Sequence, residues 1–286
     1  MTSPLQPPVS AVVDAVTRAI AEDLLPLGDL TSALLPAGLI ATARFVSRES
    51  GVIAGCACAT EAFHQIDPTV SLTWSVADGD LVSAGTVLAE ASGALASILT
   101  AERTALNFLG HLSGIATRTR TFVDAAAQGG TARIWDTRKT TPGLRSLEKA
   151  AVRAGGGTNH RGNLSDWILL KDNHIALFGI TDAVARARSM WPARTVHVEC
   201  DRLDQVLEAL AAGADALLLD NMTPAQVTEC VEAAAASARR PLVEASGGIT
   251  LETVGAYAAT GVDCISVGGL TNSAPVLDIG LDIDPI

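Results

Sequence analysis

The sequence predicts an α/β protein whose C-terminal half is a parallel sheet wrapped by helices. Three observations predict it. From residue 131, short apolar runs alternate with helical segments, the pattern of successive strand–helix units. The runs are largely apolar on both faces, as strands covered on both sides must be. Each run then ends in a polar or glycine residue suited to chemistry, and parallel α/β barrels carry their sites at the carboxyl ends of the strands. Six runs are too few for a closed eight-fold barrel. A barrel-like sheet of six or seven strands is the first expectation, and an open doubly wound sheet the second.

Residues 11–24, "AVVDAVTRAIAEDL", have helical periodicity, and the Gly, Asp and Thr of "LGDLTSALLP" mark a turn. Strand-like pieces follow: "ATARFVSRES", "GVIAGCA", "VSLTWSVADGD" and "GTVLAEASG". The stretch 77–93, "ADGDLVSAGTVLAEASG", reads as a hairpin of the lipoyl-carrier type. It has no acceptor lysine at the turn, so it is scaffold. Residues 97–127 read as one long helix linking two domains, with Leu106, Leu109, Leu112 and Ile115 on one apolar face. The expected strands are then "ARIWD" (132–136), "DWILLK" (166–171), "VHVEC" (196–200), "DALLLD" (215–220), "PLVEAS" (241–246) and "CISVGG" (264–269).

Composition bounds the function. The 286 residues carry net charge −11, which disfavours non-specific nucleic-acid binding. No apolar run is long enough for a membrane span, and the N-terminus lacks the pattern of a secretory signal. The five scattered cysteines predict reduced thiols and a cytoplasmic protein, with "CAC" at 56–58 as packing.

Against this acidic background, residues 133–171 hold eight positive charges and three negative ones, a local +5 that includes all three lysines of the chain. Converging cations need an anion, and arginine grips carboxylate or phosphate bidentately. Arg138, Lys139, Arg161 and Lys171 sit at strand ends or loops and predict such a grip, with His160 adjoining. Lys149 and Arg153, one helical turn apart, read as a solvated helix face. "SGG" (246–248) and "VGGLT" (267–271) offer backbone N–H groups where side chains would obstruct a phosphate, giving Ser246, Gly247, Gly248, Gly268 and Gly269 as candidates. Glu199 and Asp220 would repel a phosphate. They suit hydroxyl recognition or Mg²⁺, the structural alternative being a pairing with the clustered cations. Together these features describe a site for a sugar phosphate, a further polyanion and a carboxylated molecule, as phosphoribosyl transfer requires.

The segments "ERTALNFLGHLSGIAT", "DTRKTTPGLR", "KAAVRAGGGTNHR", "LLKDNHI", "VHVEC", "LLLDNM", "VEASGGI" and "GVDCISVGGLT" together resemble the quinolinate phosphoribosyltransferase family, over nearly the whole chain. The resemblance implies an N-terminal α/β sandwich domain with a linking helix (1–115), an incomplete α/β barrel (116–270) and a C-terminal segment (271–286) able to return to the N-terminal domain. It implies conversion of quinolinate and phosphoribosyl pyrophosphate to nicotinate mononucleotide, pyrophosphate and CO₂ in NAD synthesis. Mg²⁺ is the implied cofactor, held through the substrate and by Glu199 and Asp220. The implied assembly is a homodimer, or a higher multiple, whose subunits complete each other's sites. By motif, Arg138, His160, Arg161 and Lys171 would hold the two quinolinate carboxylates and Lys139 would face the pyrophosphate. Glu199 and Asp220 would take the ribose hydroxyls, and Ser246, Gly247, Gly248, Gly268 and Gly269 the 5′-phosphate. Arg103 would enter from the partner subunit. One departure stands out: "GGLTNS" (268–273) puts Asn272 where the family usually has histidine, leaving a hydrogen-bond donor without charge. Two other readings remain: a paralogue of the same fold associated with molybdate transport, and a non-catalytic phosphate-binding barrel.

Overall fold

The computed structural model describes residues 5–283, and expectations that fall on residues 1–4 or 284–286 lie outside the described residues. The strands are β1 (Ile40–Ser47), β2 (Gly51–Val52), β3 (Ser71–Trp74), β4 (Leu81–Val82), β5 (Val87–Ala94), β6 (Arg133–Trp135), β7 (Ile168–Leu170), β8 (Val196–Cys200), β9 (Ala216–Asp220), β10 (Leu242–Ser246), β11 (Cys264–Ser266) and β12 (Ile279–Ile283). The helices are α1 (Val9–Leu24), α2 (Cys56–Ile66), α3 (Leu95–Ala127), α4 (Arg145–Ala154), α5 (Asp172–Phe178), α6 (Ile180–Met190), α7 (Leu203–Ala211), α8 (Pro224–Ala236), α9 (Val254–Ala258) and α10 (Gly269–Asn272). They fold into two compact units. One holds residues 5–120, 140–156 and 270–283, the other residues 121–139 and 157–269.

The first unit contains an antiparallel sheet of order β12-β1-β5-β3. Along α3, Leu106, Leu109, Leu112 and Ile115 are buried as their spacing predicts. Gly110 and Gly114 lie one helical turn apart on the same helix. A Cβ on Gly114 would sit 1.9 Å from the Pro275 carbonyl oxygen, so only glycine lets the C-terminal chain pass at that distance. Leu277 N–H donates to the Gly110 carbonyl (3.0 Å). This groove delivers β12 to β1, where Phe45 pairs with Leu281.

Two expectations are corrected here. Residues 77–93 do not form a hairpin: β4 pairs with β2, whereas β5 lies between β1 and β3. Both edges of β5 are therefore taken, and the two-residue β4 must find its partner elsewhere. Lys149 and Arg153 are not a solvated face either. Lys149 is buried, and Arg153 Nη2 donates to the carbonyls of Leu5 (3.4 Å) and Gln6 (3.1 Å). Helix α4 belongs with the first unit, so its charged stripe is covered. The cysteines are free and buried, and burial pushes the Cys58 thiol up to about 12, which suits packing.

The turn at "GDLTS" is organised by one carboxylate. Asp29 accepts hydrogen bonds from Thr31 N–H (3.0 Å), Ser32 N–H (2.9 Å), Ser32 Oγ (2.5 Å) and Thr100 Oγ1 (2.9 Å). These donors favour the ionised form. The Ser32 hydroxyl does most to lower the carboxyl from 3.8 to about 2.

The second unit is a parallel sheet of order β6-β11-β10-β9-β8-β7. From β7 to β11 each strand pairs with the next in sequence, and β6 follows β11. A doubly wound sheet would reverse this order at a switch point. The order never reverses, so the unit is singly wound, an incomplete barrel of six strands. It stays open between β6 and β7. At that edge Thr158 makes a single parallel bridge to Trp135.

The Asp29 carboxylate predicts an acid-labile contribution to stability. Its folded value lies below its unfolded value, so the contribution is present above 3.8 and is lost as pH falls through about 2. In Asp29→Asn the stability deficit relative to wild type should therefore shrink across this window. Urea unfolding at a series of pH values measures it.

Candidate functional site

In parallel strands alternate residues share a face. On the inner face, Leu169 is followed two residues on by Lys171, His197 by Glu199, Leu218 by Asp220, and Glu244 by Ser246. Leu169 and His197 pair directly, as do Glu199 and Leu218, and Leu218 and Glu244. The carboxyl ends of the strands thus surround a cavity of about 440 Å³. It is lined by Thr137, Arg138, Lys139, His160, Arg161, Leu169, Lys171, Glu199, Leu218, Asp220, Glu244, Ser246 and Ser266.

Eight of the sequence-predicted residues meet here: Arg138, Lys139, His160, Arg161, Lys171, Glu199, Asp220 and Ser246. Gly247 and Gly248 follow β10, and Gly268 and Gly269 follow β11, beside the lining rather than in it. Gly247 has φ +93°, and a Cβ there would lie 2.3 Å from Asn221 Oδ1. The Asn221 side-chain amide donates to Asp220 Oδ2 (2.7 Å), and its backbone N–H to the Ser246 carbonyl (2.9 Å). Gly268 faces the Lys139 stem, where a Cβ would come within 3.0 Å of Cδ. Arg103 is exposed and lines a separate cavity of about 670 Å³ within the first unit, with Arg18 and His111. Asn272 is exposed, and its Oδ1 accepts from Ser273 Oγ (3.1 Å).

The electrostatics agree with an anion site. Arg161 is buried. Burial and then the like charge of Arg138 pull its guanidinium below its ordinary value, against opposing pulls from Asp166, Glu244 and Glu199. Arg138 Nε is buried with no hydrogen-bond partner. Lys171 Nζ meets Glu199 Oε2 at 2.5 Å, so here the carboxylate does pair with a clustered cation. Asp220 is engaged by Asn221. Glu199 and Asp220 offer the hard oxygen donors that Mg²⁺ prefers, and Mg²⁺ sites commonly use one or two carboxylates plus substrate phosphates. The residues present therefore fit the ion that the resemblance implies.

Several residues that shape the site have no substrate role in the sequence reading, although Asp136 is among the polar residues it notes at the strand ends. Asp136, fully buried, accepts from His160 N–H (2.8 Å) and Asn159 Nδ2 (2.7 Å), fixing the loop that presents His160 and Arg161. Glu244, also fully buried, accepts from the Ser266 hydroxyl, and its Oε2 lies 3.3 Å from His160 Nε2. The His160 ring stands edge-on to Trp135 (5.5 Å) and Trp167 (5.0 Å). His197 stacks on Trp167 (5.1 Å), and burial lowers its imidazole to about 4. The sequence does carry a signal for Glu244 and His197: each is a polar residue inside an apolar strand, two positions before a predicted site residue.

The sequence matches two family profiles: quinolinate phosphoribosyl transferase, N-terminal domain, over residues 29–113, and quinolinate phosphoribosyl transferase, C-terminal domain, over residues 115–282. The chain belongs to this family. It is 44% identical to the nicotinate-nucleotide pyrophosphorylase [carboxylating] of Mycobacterium leprae, over 96% of this chain and 97% of that protein. It is also 44% identical to a probable enzyme of the same name from Bacillus subtilis, over 90% and 88% of the two chains. Among solved structures, the nicotinate-nucleotide pyrophosphorylase of Francisella tularensis superimposes with a TM-score of 0.92 at 38% identity, covering 98% of both chains.

For this phosphoribosyl transferase, the Asp136 clamp gives a prediction. Asp136→Asn keeps the shape but turns an amide donor toward one of two N–H groups. Leaving a buried donor unpaired should cost about 2 kcal/mol of stability, read as a lowered urea midpoint.

Proposed function

We propose that this family member transfers the phosphoribosyl group of phosphoribosyl pyrophosphate to the ring nitrogen of quinolinate, yielding nicotinate mononucleotide, pyrophosphate and CO₂ for NAD biosynthesis. One observation carries the reading: Arg138, Lys139, His160, Arg161 and Lys171 line a single cavity with Glu199 and Asp220. Cations alone would suit any polyanion. Cations facing two carboxylates suit a molecule with both anionic groups and a diol.

In this reading Arg138, His160, Arg161 and Lys171 hold the two acceptor carboxylates. Lys139 faces the departing pyrophosphate. Glu199 and Asp220 accept hydrogen bonds from the ribose hydroxyls, for which Glu199 must exchange its bond to Lys171. Ser246, Gly247, Gly248, Gly268 and Gly269 surround the 5′-phosphate. Glu199 and Asp220, together with the substrate, would hold Mg²⁺, which would supply charge neutralisation at the pyrophosphate. The ring nitrogen attacks the anomeric carbon as that carbon's bond to the pyrophosphate oxygen breaks, releasing pyrophosphate. The nitrogen becomes cationic and so stabilises the electron pair left on the neighbouring ring carbon when the adjacent carboxylate departs as CO₂, and a proton then takes the place of the lost carboxylate. No side chain need act as a nucleophile, so positioning and electrostatics do the catalytic work. The reaction is placed in the cytoplasm, in keeping with five free buried cysteines. The working assembly is a homodimer in which Arg103 reaches the partner's site.

The direct test mixes the protein with Mg²⁺, phosphoribosyl pyrophosphate and quinolinate. Nicotinate mononucleotide and CO₂ should appear in equal amounts; absence of both refutes the reading. Arg161→Lys keeps the charge and loses the fork. It should raise the quinolinate KM roughly tenfold or more while leaving the KM for the sugar donor close to wild type.

The dimer reading has its own test. Arg103→Ala and Lys139→Ala are each prepared as nearly inactive homodimers, then dissociated and reassociated together. If Arg103 acts across a two-fold interface, each mixed dimer has one intact site and one doubly lesioned site. About one quarter of all sites should then regain activity. No recovery despite demonstrated subunit exchange would place Arg103 outside the partner's site.

A further inference from the structure

Beneath the cavity, three buried side chains from separate parts of the second unit converge: His160 from the loop after Thr158, His197 from β8 and Glu244 from β10. One ligand-type atom of each lies within 4.8 Å of the other two. Hydrogen bonding accounts for only part of this cluster. Glu244 uses one oxygen for the Ser266 hydroxyl, but its Oε2 has no hydrogen-bond partner, and neither has His197 Nδ1. The 3.3 Å between His160 Nε2 and Glu244 Oε2 is longer than the roughly 2.7–2.9 Å of a charge-assisted N–H···O bond. It does match an edge of a tetrahedral zinc site, where bonds of about 2.0–2.1 Å set neighbouring ligand atoms roughly 3.3–3.4 Å apart.

The geometry points to a Zn²⁺ site formed by His160, His197 and Glu244, with its fourth position toward the cavity. His160 and Glu244 both line that cavity, so an entry path exists. One outer contact, a hydrogen bond to the carboxylate, is of the kind that orients metal ligands, and ring packing holds the two imidazoles. Ser266 anchors the carboxylate, Trp167 stacks on His197, and the edges of Trp135 and Trp167 fix the His160 ring. Two imidazoles and a carboxylate select zinc over magnesium, which prefers oxygen and binds nitrogen weakly. The nearby Arg161 and Arg138 charges oppose any cation, so the site is a reversible one rather than a permanent structural centre. Zinc bound there takes a nitrogen of His160. On the functional reading above, His160 holds an acceptor carboxylate, so zinc inhibits turnover and chelation restores it.

The test uses the full chain, freed of metal with EDTA and then titrated with ZnCl₂ by equilibrium dialysis in excess Mg²⁺. One zinc per chain is expected. With Co²⁺ in place of zinc, visible d–d bands should appear without a thiolate charge-transfer band; a thiolate band would assign the ion to a cysteine and overturn the site. His197→Gln should weaken zinc binding about tenfold or more and raise the zinc concentration that inhibits in the same proportion, each protein being referred to its own zinc-free turnover in excess Mg²⁺. Glu199→Ala should bind zinc as wild type does, because it lies outside the triad. Equal zinc binding by wild type and His197→Gln, or none by wild type, overturns the proposal. Should His197→Gln fail to fold, the cobalt spectrum of wild type decides alone. A protein that binds one zinc through this triad yet makes no nicotinate mononucleotide would retain the site and refute the enzymatic reading instead.

Discussion

Two arginines can be held facing one small space only if fixed negative charge stands close by. Glu244, completely buried, is among the acids that oppose the Arg138 charge at Arg161, and the completely buried Asp136 fixes the loop that carries Arg161. Asp136 works on the backbone, holding the 159–160 loop through two hydrogen bonds, so that Arg161 emerges from a fixed point. Glu244 works on side chains, lying against His160 and contributing to the field at Arg161. Neither carboxylate has solvent to fall back on: Asp136 is engaged by the loop it holds, whereas Glu244 keeps one oxygen without a hydrogen-bond partner. The cations of the cavity therefore depend on the interior beneath them.

The same interior explains why the site residues are two apart along each strand. A parallel strand turns every second side chain toward the inner face, and the last such residue reaches the cavity. The one before it forms the floor. Lys171, Glu199, Asp220 and Ser246 are last residues of this kind, and Leu169, His197, Leu218 and Glu244 are the layer below. Chemistry and support are thus written as adjacent pairs in one strand, and a change at a floor position is felt at the rim.

That pairing marks how far the sequence can be read. Strand identity is legible because the six runs are apolar and evenly separated; "VHVEC" coincides with β8 residue for residue. The rim residues are legible because six apolar runs in succession end in polar groups or glycine, of complementary types. The floor is less so. A glutamate inside "PLVEAS" has no stated face until neighbours are placed, although its distance of two from Ser246 carries the information. Lys149 misleads for a related reason. Its helix has charges one turn apart, as a solvated helix does, and only the tertiary placement of residues 140–156 with the first unit covers it. Local pattern also misassigns β4 and β5, because sheet partners at long range, not the intervening turn, decide their pairing. The intact "DTRKTTPGLR" and "TNHR" favour the quinolinate enzyme over the molybdate-associated alternative, the second cationic pocket counts against a non-catalytic barrel, and similarity over nearly the full length of the chain places it in the family.

The gap between β6 and β7 changes what kind of object the second unit is. A closed barrel is a hoop, in which the register of every strand is fixed by all the others, so one slip must propagate around the ring. Here the register runs as a line from β7 through β11 to β6 and stops, and among the described residues the bridge at the free edge of β6 is to Thr158. The segment between Thr158 and β7, which carries His160 and Arg161, occupies the one angular sector where chain length is not dictated by neighbours on both sides. Insertions or deletions there leave the five strand pairings untouched. The unit can therefore alter the grip on one side of its cavity by changing loop length, a freedom that a closed ring of strands lacks.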